Sequence, residues 1–170
     1  MREDIAMNML DVAPMETWKQ LEKEIGENFS INPGVYDTEH KRVTDGADWC
    51  NKLCPALRSS AKGIGAVCAV AGQNFAAALK KDLKPRADEC DAGLVKVVVP
   101  VIKDGELVGA AGGCGCIAPE GEVDCFFLHK VMDVSEEEVG ELAASVPVVT
   151  REDVDRLVAF VEKKIAEIVG

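Results

Sequence analysis

The chain has 170 residues, of which 48% are hydrophobic, and a net charge of −11. This length predicts a single domain, residues 1–170, large enough to fold without disulfides. The acidity argues against nucleic acid as a partner, since binding to phosphates depends largely on Lys and Arg. No apolar run approaches the roughly 18 residues of a membrane span, and the charged N-terminus lacks a signal-peptide core. We therefore expect a cytoplasmic protein that does not use a membrane.

The first half of the chain predicts helices on either side of a short hairpin. Apolar residues recur every three to four positions over residues 14–27, which indicates an amphipathic helix. After an Asn-Pro-Gly break, residues 34–37 and 42–44 are typical of a hairpin. A helix over residues 47–57 follows. Ser59 or Ser60 then caps an Ala-rich helix from residue 61 to about residue 82.

The second half predicts a strand pair followed by helices. Residues 94–103 are β-branched and apolar, and Asp104-Gly105 is a hairpin turn signal before a returning strand over residues 107–116. Capping sequences at residues 135–138 and 150–153 each open a helix. This order favours an α+β fold with an antiparallel sheet over alternating strands and helices.

The seven cysteines are concentrated in the middle of the chain. Reduced cysteines clustered in a cytosolic protein favour metal binding or redox chemistry over a disulfide framework, and an odd number cannot pair completely. The alternative is that each is a small buried hydrophobic residue. The seven are Cys50, Cys54, Cys68, Cys90, Cys114, Cys116 and Cys125.

Two cysteine pairs have a spacing that suggests a shared site. Cys50 and Cys54 are four residues apart in a predicted helix, which would place both sulfurs on one face. Cys114 and Cys116 are two apart in a predicted strand, which also predicts a common face. Gly112 and Gly113 precede this pair, and glycine in a strand indicates a sheet corner or a close approach to a ligand or cluster.

Polar residues outside the cysteine cluster give two further expectations. His40 lies in a polar turn, so we expect it to be exposed. The basic residues Arg58, Lys62, Lys80 and Lys81 contrast with the overall acidity. They indicate either solvated helix faces or a basic face near an anionic ligand or partner.

The order of these motifs resembles the PocR sensory domain, a PAS-like ligand-binding module of bacterial and archaeal regulators. The resemblance covers residues 15–168. It includes Val146-Pro147 before the last helix. Its earlier motifs are Cys54, Cys68, Cys90-Asp91-Ala92-Gly93-Leu94, the strand with Pro100 and Val101, the segment Asp104-Gly105-Glu106-Leu107-Val108-Gly109, and Gly112-Gly113.

The resemblance implies a PAS-like antiparallel sheet flanked by helices, with N- and C-terminal helices, that encloses a small-molecule pocket. The implied ligands are small hydrocarbon derivatives such as diols. Cys54, Cys68 and Cys90 correspond to the family's cysteine trio, which could bind a metal or cofactor. Asp91 stands where the family usually has His. No output domain follows, so a separate signalling protein is expected to receive the signal.

Together these observations predict a non-enzymatic sensor with a sulfur-rich site. Cys54, Cys68, Cys90 and Cys50 are the predicted metal ligands, and Cys114, Cys116, Gly112 and Gly113 the predicted cofactor-binding residues. The favoured cofactor is an iron–sulfur cluster, with zinc second, because soft thiolates suit both. A small organic ligand is the other possible occupant. The alternative functions are a thiol–disulfide redox enzyme and an electron carrier.

The first and last helices also suggest a homodimer. Each carries apolar residues at near-heptad spacing, which is typical either of core packing or of a helix that pairs with a second chain. These residues are Trp18, Leu21 and Ile25, and Val154, Leu157, Val161 and Ile168.

Overall fold

The structure is a computed structural model that describes residues 5–46 and 48–170. Its sheet is antiparallel, with strand order β1-β4-β3-β2. The strands are β1 (Asn32–Asp37), β2 (Arg86–Glu89), β3 (Val95–Lys103) and β4 (Glu106–Cys116). Helices flank this sheet at both ends of the chain, which confirms the predicted α+β fold.

The helices largely follow the predicted pattern. Ser60 caps the Ala-rich helix by accepting a hydrogen bond from the Gly63 N–H, and Thr150 forms a capping box with Asp153. A π-helical segment, Ile64–Cys68, interrupts the Ala-rich helix. The α-helices are α1 (Met9–Val12), α2 (Met15–Asn28), α3 (Leu53–Arg58), α4 (Ala61–Gly63), α5 (Ala69–Asp82), α6 (Cys125–Met132), α7 (Glu136–Ala143) and α8 (Arg151–Val169).

Helices α2 and α8 pack together against one face of the sheet. The apolar stripes of both helices lie in the same buried cluster as Val97, Val99 and Val101 of β3. The apolar residues that suggested a homodimer therefore pack within the chain itself. The homodimer stays a prediction, without support from these residues.

The opposite face of the sheet is covered by α3, the π-helical segment and α5. Phe75 and Leu79 of α5 pack on Tyr36 of β1 and Val98 of β3. A second cluster, around Leu53 and Leu57 of α3, joins this layer to α6 and α7. The packing is incomplete beside Tyr36, where a cavity lies between helices and sheet.

The predicted helix over residues 47–57 is shorter than expected. Residue 47 lies outside the described residues, and α3 begins only at Leu53. The Asn51 side chain accepts a hydrogen bond from the Cys54 N–H at 2.7 Å, and such local side-chain bonds compete with a continuous helix. Cys50 therefore precedes the helix, and the expectation that Cys50 and Cys54 share a helix face is wrong.

The predicted hairpin over residues 34–37 and 42–44 is reduced to one bridge, between Tyr36 and Arg42. Its ladder stops because the buried Glu22 carboxylate accepts the Val35 N–H at 3.0 Å. Glu22 also accepts hydrogen bonds from Arg42, at 3.2 Å, and from the Thr44 hydroxyl. This carboxylate, only 4% exposed, ties α2 to β1 and to the loop that follows.

We predict that Glu22→Ala lowers the free energy of unfolding by about 3 kcal/mol or more, because it leaves Arg42 and a buried N–H without their acceptor. Urea denaturation measures this loss. Glu27→Ala is the matched control on the same helix: its exposed ion pair with Lys23 contributes about 0.5 kcal/mol at most. Equal losses in the two variants would contradict the proposed role of Glu22.

Candidate functional site

A cavity of about 370 Å³ lies between the sheet and the helices that cover it. Three strands form its floor, and α3, the π-helical segment and α5 form its roof. The residues that line it include Asn32, Tyr36, His40, Arg42, Trp49, Cys54, Leu57, Arg58, Ile64, Val67, Cys68, Cys90, Leu94, Lys96 and Cys114.

The floor of the cavity is a row of side chains across three strands. Cys114 of β4 is the register partner of Asn32 in β1 and of Lys96 in β3. Residues directly opposite each other in an antiparallel sheet point to the same face, so all three side chains are turned to the cavity. The row places an amide, a thiol and an ammonium group side by side.

A bulge at Gly115 controls which thiol joins this row. Cys114 pairs with Lys96 while Cys116 pairs with Val95, so Gly115 is an extra residue in β4. Gly115 has φ +96°, and a Cβ there would lie 2.3 Å from Asn32 Nδ2, so glycine suits the position. The bulge turns Cys116 to the opposite face, into the core under α2 and α8. The expectation that Cys114 and Cys116 share one face is therefore wrong.

Four thiols line the same cavity. The trio identified by resemblance, Cys54, Cys68 and Cys90, is brought together with Cys114. Burial raises the pKa of Cys54 to about 12, and burial also raises the pKa values of Cys68 and Cys90. These three are therefore neutral thiols at neutral pH. Within the described residues, no group of three or more His, Cys, Asp or Glu side chains is arranged to hold a metal ion.

The remaining predicted site residues lie away from the cavity lining. Cys50 lies in a separate surface groove, and Cys116 is in the core. A Cβ on Gly112 would lie 2.0 Å from the Val97 carbonyl oxygen, and one on Gly113 would lie 2.7 Å from that of Asn32. These glycines thus permit close approach of neighbouring strands. Their assignment to a cofactor stays a prediction.

Lys96 is the principal site residue that the sequence reasoning missed. Its side chain is only 7% exposed, with Nζ 4.7 Å from the Tyr36 ring centroid and 5.7 Å from that of Phe75. Within the described chain, Lys96 forms no ion pair with a carboxylate. A charged residue between the apolar residues at the start of β3 was the signal that could have identified it.

Three buried polar atoms around the cavity lack a hydrogen-bond partner among the described residues. They are Asn32 Nδ2, His40 Nε2 and Arg42 Nε. Buried polar atoms are paired in the great majority of cases, so these three atoms are unusual features of the packing around the cavity.

His40 is not the exposed turn residue that we expected. Its ring stacks on the Tyr36 ring with centroids 4.0 Å apart, and Gly72 of α5 lies against the imidazole. The turn at His40 has φ +63°, which directs the side chain back over β1. Burial, reinforced by the charge on Lys96, lowers the pKa of His40 from 6.5 to about 3.

Residues 11–169 match the family model described as the sensory domain found in PocR. The chain belongs to the PocR sensory-domain family. This PocR membership confirms the resemblance and supports a ligand-binding sensory role, and it favours binding over catalysis. No curated protein and no solved structure matches the chain. In the described residues of this PocR domain, no helix is long and apolar enough to cross a membrane.

We predict that His40 makes the free energy of unfolding of this PocR domain decrease as the pH is lowered. The unfolded chain binds a proton near pH 6.5 and the folded state only near pH 3, so stability is lost as pH falls through that window. His40→Asn should remove up to about 1 kcal/mol of this dependence per pH unit. Denaturation curves measured from about pH 7 to 4 test it, with His129→Asn as the control. A wild-type slope in His40→Asn would contradict the prediction.

Proposed function

We propose that this PocR-type domain is a sensor whose cavity binds a small organic ligand with a negatively charged or acceptor-rich head group. The observation that carries the proposal is Lys96, a buried cation in the cavity that no carboxylate of the described chain balances. Burying a charge is costly unless it is paired, so the lysine favours an anionic partner from outside the chain.

The neighbours of Lys96 do not supply that partner at neutral pH. Desolvation lowers the pKa of Lys96, but the ionised forms of Tyr36, Cys114 and Cys68 raise it more, and the net shift is upward. Burial raises the pKa values of Tyr36 and Cys68 themselves, so both are neutral near pH 7. With these two neighbours neutral, desolvation is the main effect left on the pKa of Lys96, and an anionic ligand would favour its charged form. Contact with the Tyr36 ring offsets only about 1–2 kcal/mol of the burial cost.

The lining of the cavity indicates which ligand groups fit. Asn32, His40, Arg42 and Lys96 are the polar or charged residues on the sheet side of the cavity. Apolar side chains of Leu57, Ile64 and Val67 form the opposite wall. A short apolar body with a carboxylate or similar acceptor group matches this division between roof and floor.

The cavity roof offers a way to signal occupancy. Val67 and Cys68 belong to the π-helical segment that interrupts the long helix, and such segments occur often at functional sites. A ligand that contacts this segment would favour one arrangement of the helix over another. We infer that this helical layer transmits the signal to a signalling output.

An iron–sulfur cluster on the cavity thiols is the second candidate, favoured by four cysteines around one space. Cys54, Cys68, Cys90 and Cys114 would hold the cluster, which would supply redox sensitivity. The absence of a compact ion-binding group in the described chain argues against a single zinc ion more than against a larger cluster. Because the thiols have raised pKa values, loading would release protons and strengthen with pH.

We predict that Lys96→Met stabilises the ligand-free protein by about 2 kcal/mol while abolishing ligand binding, since Met fills the space without a charge. Thermal unfolding with a panel of short-chain carboxylates measures both effects, because a bound ligand raises Tm. Lys81→Met on the exposed face of α5 is the control. A ligand-dependent Tm increase that persists in Lys96→Met would contradict the role of the lysine, and no increase in the wild-type protein would contradict a carboxylate ligand.

We predict for the cluster alternative that anaerobically purified protein contains iron, labile sulfide and broad visible absorption. The double variant Cys54→Ser/Cys68→Ser should lose all three, because it removes two of four ligands, whereas Cys125→Ser should keep them. Metal analysis and the visible spectrum are the measurements. Metal-free protein with seven titratable thiols would refute the cluster and, with it, the electron-carrier alternative.

A further inference from the structure

A second thiol site lies apart from the cavity, where the loop before α3 meets the end of β4. The Cys50 sulfur is 3.4 Å from the Gly115 carbonyl oxygen, and the next residue in β4 is Cys116. The Cys116 thiol is 2.8 Å from the Ser30 carbonyl oxygen, and Cys50 packs against the buried cluster that contains Cys116. Two free thiols therefore lie on either side of the Gly115 backbone, at a place that the proposed ligand site does not use.

The two thiols differ in their access to solvent. Cys50 is half-buried and lines an open groove with Phe29, Ser30 and Trp49. Cys116 is 1% exposed and packed in the core under α2. A small oxidant can reach the first sulfur from the groove, while the core shields the second.

The two thiols also differ in acidity. A hydrogen bond from Cys116 lowers the pKa of Cys50, against the effect of burial, with further help from Asn51. The same contact and burial raise the pKa of Cys116. When Cys50 ionises, the Cys116 S–H can turn from the Ser30 carbonyl to the thiolate. The exposed member of the pair is thus the better nucleophile, and the buried one holds a proton for it.

We propose that Cys50 and Cys116 form a reversible regulatory disulfide in response to a hydroperoxide. The Cys50 thiolate attacks the peroxide; an S–O bond forms, the O–O bond breaks, and the leaving oxygen takes a proton from solvent. Cys116 then attacks the Cys50 sulfenic acid; the S–S bond forms and the hydroxide leaves with the Cys116 proton as water. Two thiols are oxidised, and one hydroperoxide is reduced to water and an alcohol, or to two waters.

The disulfide would fasten the loop that borders the ligand cavity. Asn51, next to Cys50, donates to the Gly115 carbonyl at 2.8 Å and to the Cys54 sulfur at 3.4 Å. Trp49, on the other side of Cys50, lines both the groove and the cavity. A bond from Cys50 to β4 would therefore restrain two cavity-side residues at once.

The test uses the full, reduced chain with a small excess of hydrogen peroxide. Titratable thiols should fall from seven to five, and peptide mapping without reductant should identify one intramolecular Cys50–Cys116 linkage that dithiothreitol reverses. In Cys116→Ser, Cys50 should instead accumulate as sulfenic acid trapped by dimedone. In Cys50→Ser, the rate of thiol loss should fall at least tenfold.

Two controls make the result specific. Cys125→Ser, whose thiol lies at the start of α6, should form the linkage at the wild-type rate. Circular dichroism of each variant establishes that it is folded before oxidation. Preferential oxidation of the cavity thiols, linkages between chains, or dimedone labelling of Cys50 no faster than Cys125 would each overturn the proposal.

Discussion

The bulge at Gly115 is the backbone feature on which both thiol sites depend. Without the extra residue, regular alternation would place Cys114 and Cys116 on the same face of β4. With it, Cys114 joins Lys96 on the cavity floor and Cys116 turns to the opposite face, into the cluster against which Cys50 packs. One residue with φ +96° thus divides neighbouring cysteines between a ligand cavity and a separate thiol pair.

One cation of the cavity lining is paired with a carboxylate and another is not, and this difference explains why the cavity is suited to a ligand. Arg42 is balanced inside the protein by Glu22, which also secures β1 and Thr44. Lys96 has no comparable carboxylate in the described chain. A protein that only needed to fold would gain stability from an apolar residue at this position, so the lysine is better explained by a binding role.

The fold could be predicted from the sequence because its signals are local. The Asp104-Gly105 turn has φ of +52° and +81°, as its sequence indicates, and the caps at Ser60 and Thr150 depend on residues three positions away. The candidate site could not be predicted in the same way, because it depends on contacts between residues that are distant in the sequence. His40 is partly covered by Tyr36 and α5, and Asn51 interrupts the predicted helix by accepting a hydrogen bond from the Cys54 N–H. The prediction that Cys114 and Cys116 share a face was wrong because side-chain alternation assumes a regular strand, and the bulge at Gly115 breaks it.

The two thiol sets are chemically complementary. Burial keeps Cys54, Cys68 and Cys90 protonated, so they react slowly with oxidants while no ligand or metal displaces their protons. Cys50 has a lowered pKa and faces a groove outside the cavity. An oxidant would therefore react first outside the cavity. Because Asn51 connects Cys50 to Cys54, that reaction would still act on the cavity wall, and one small domain could combine a ligand signal with a redox signal.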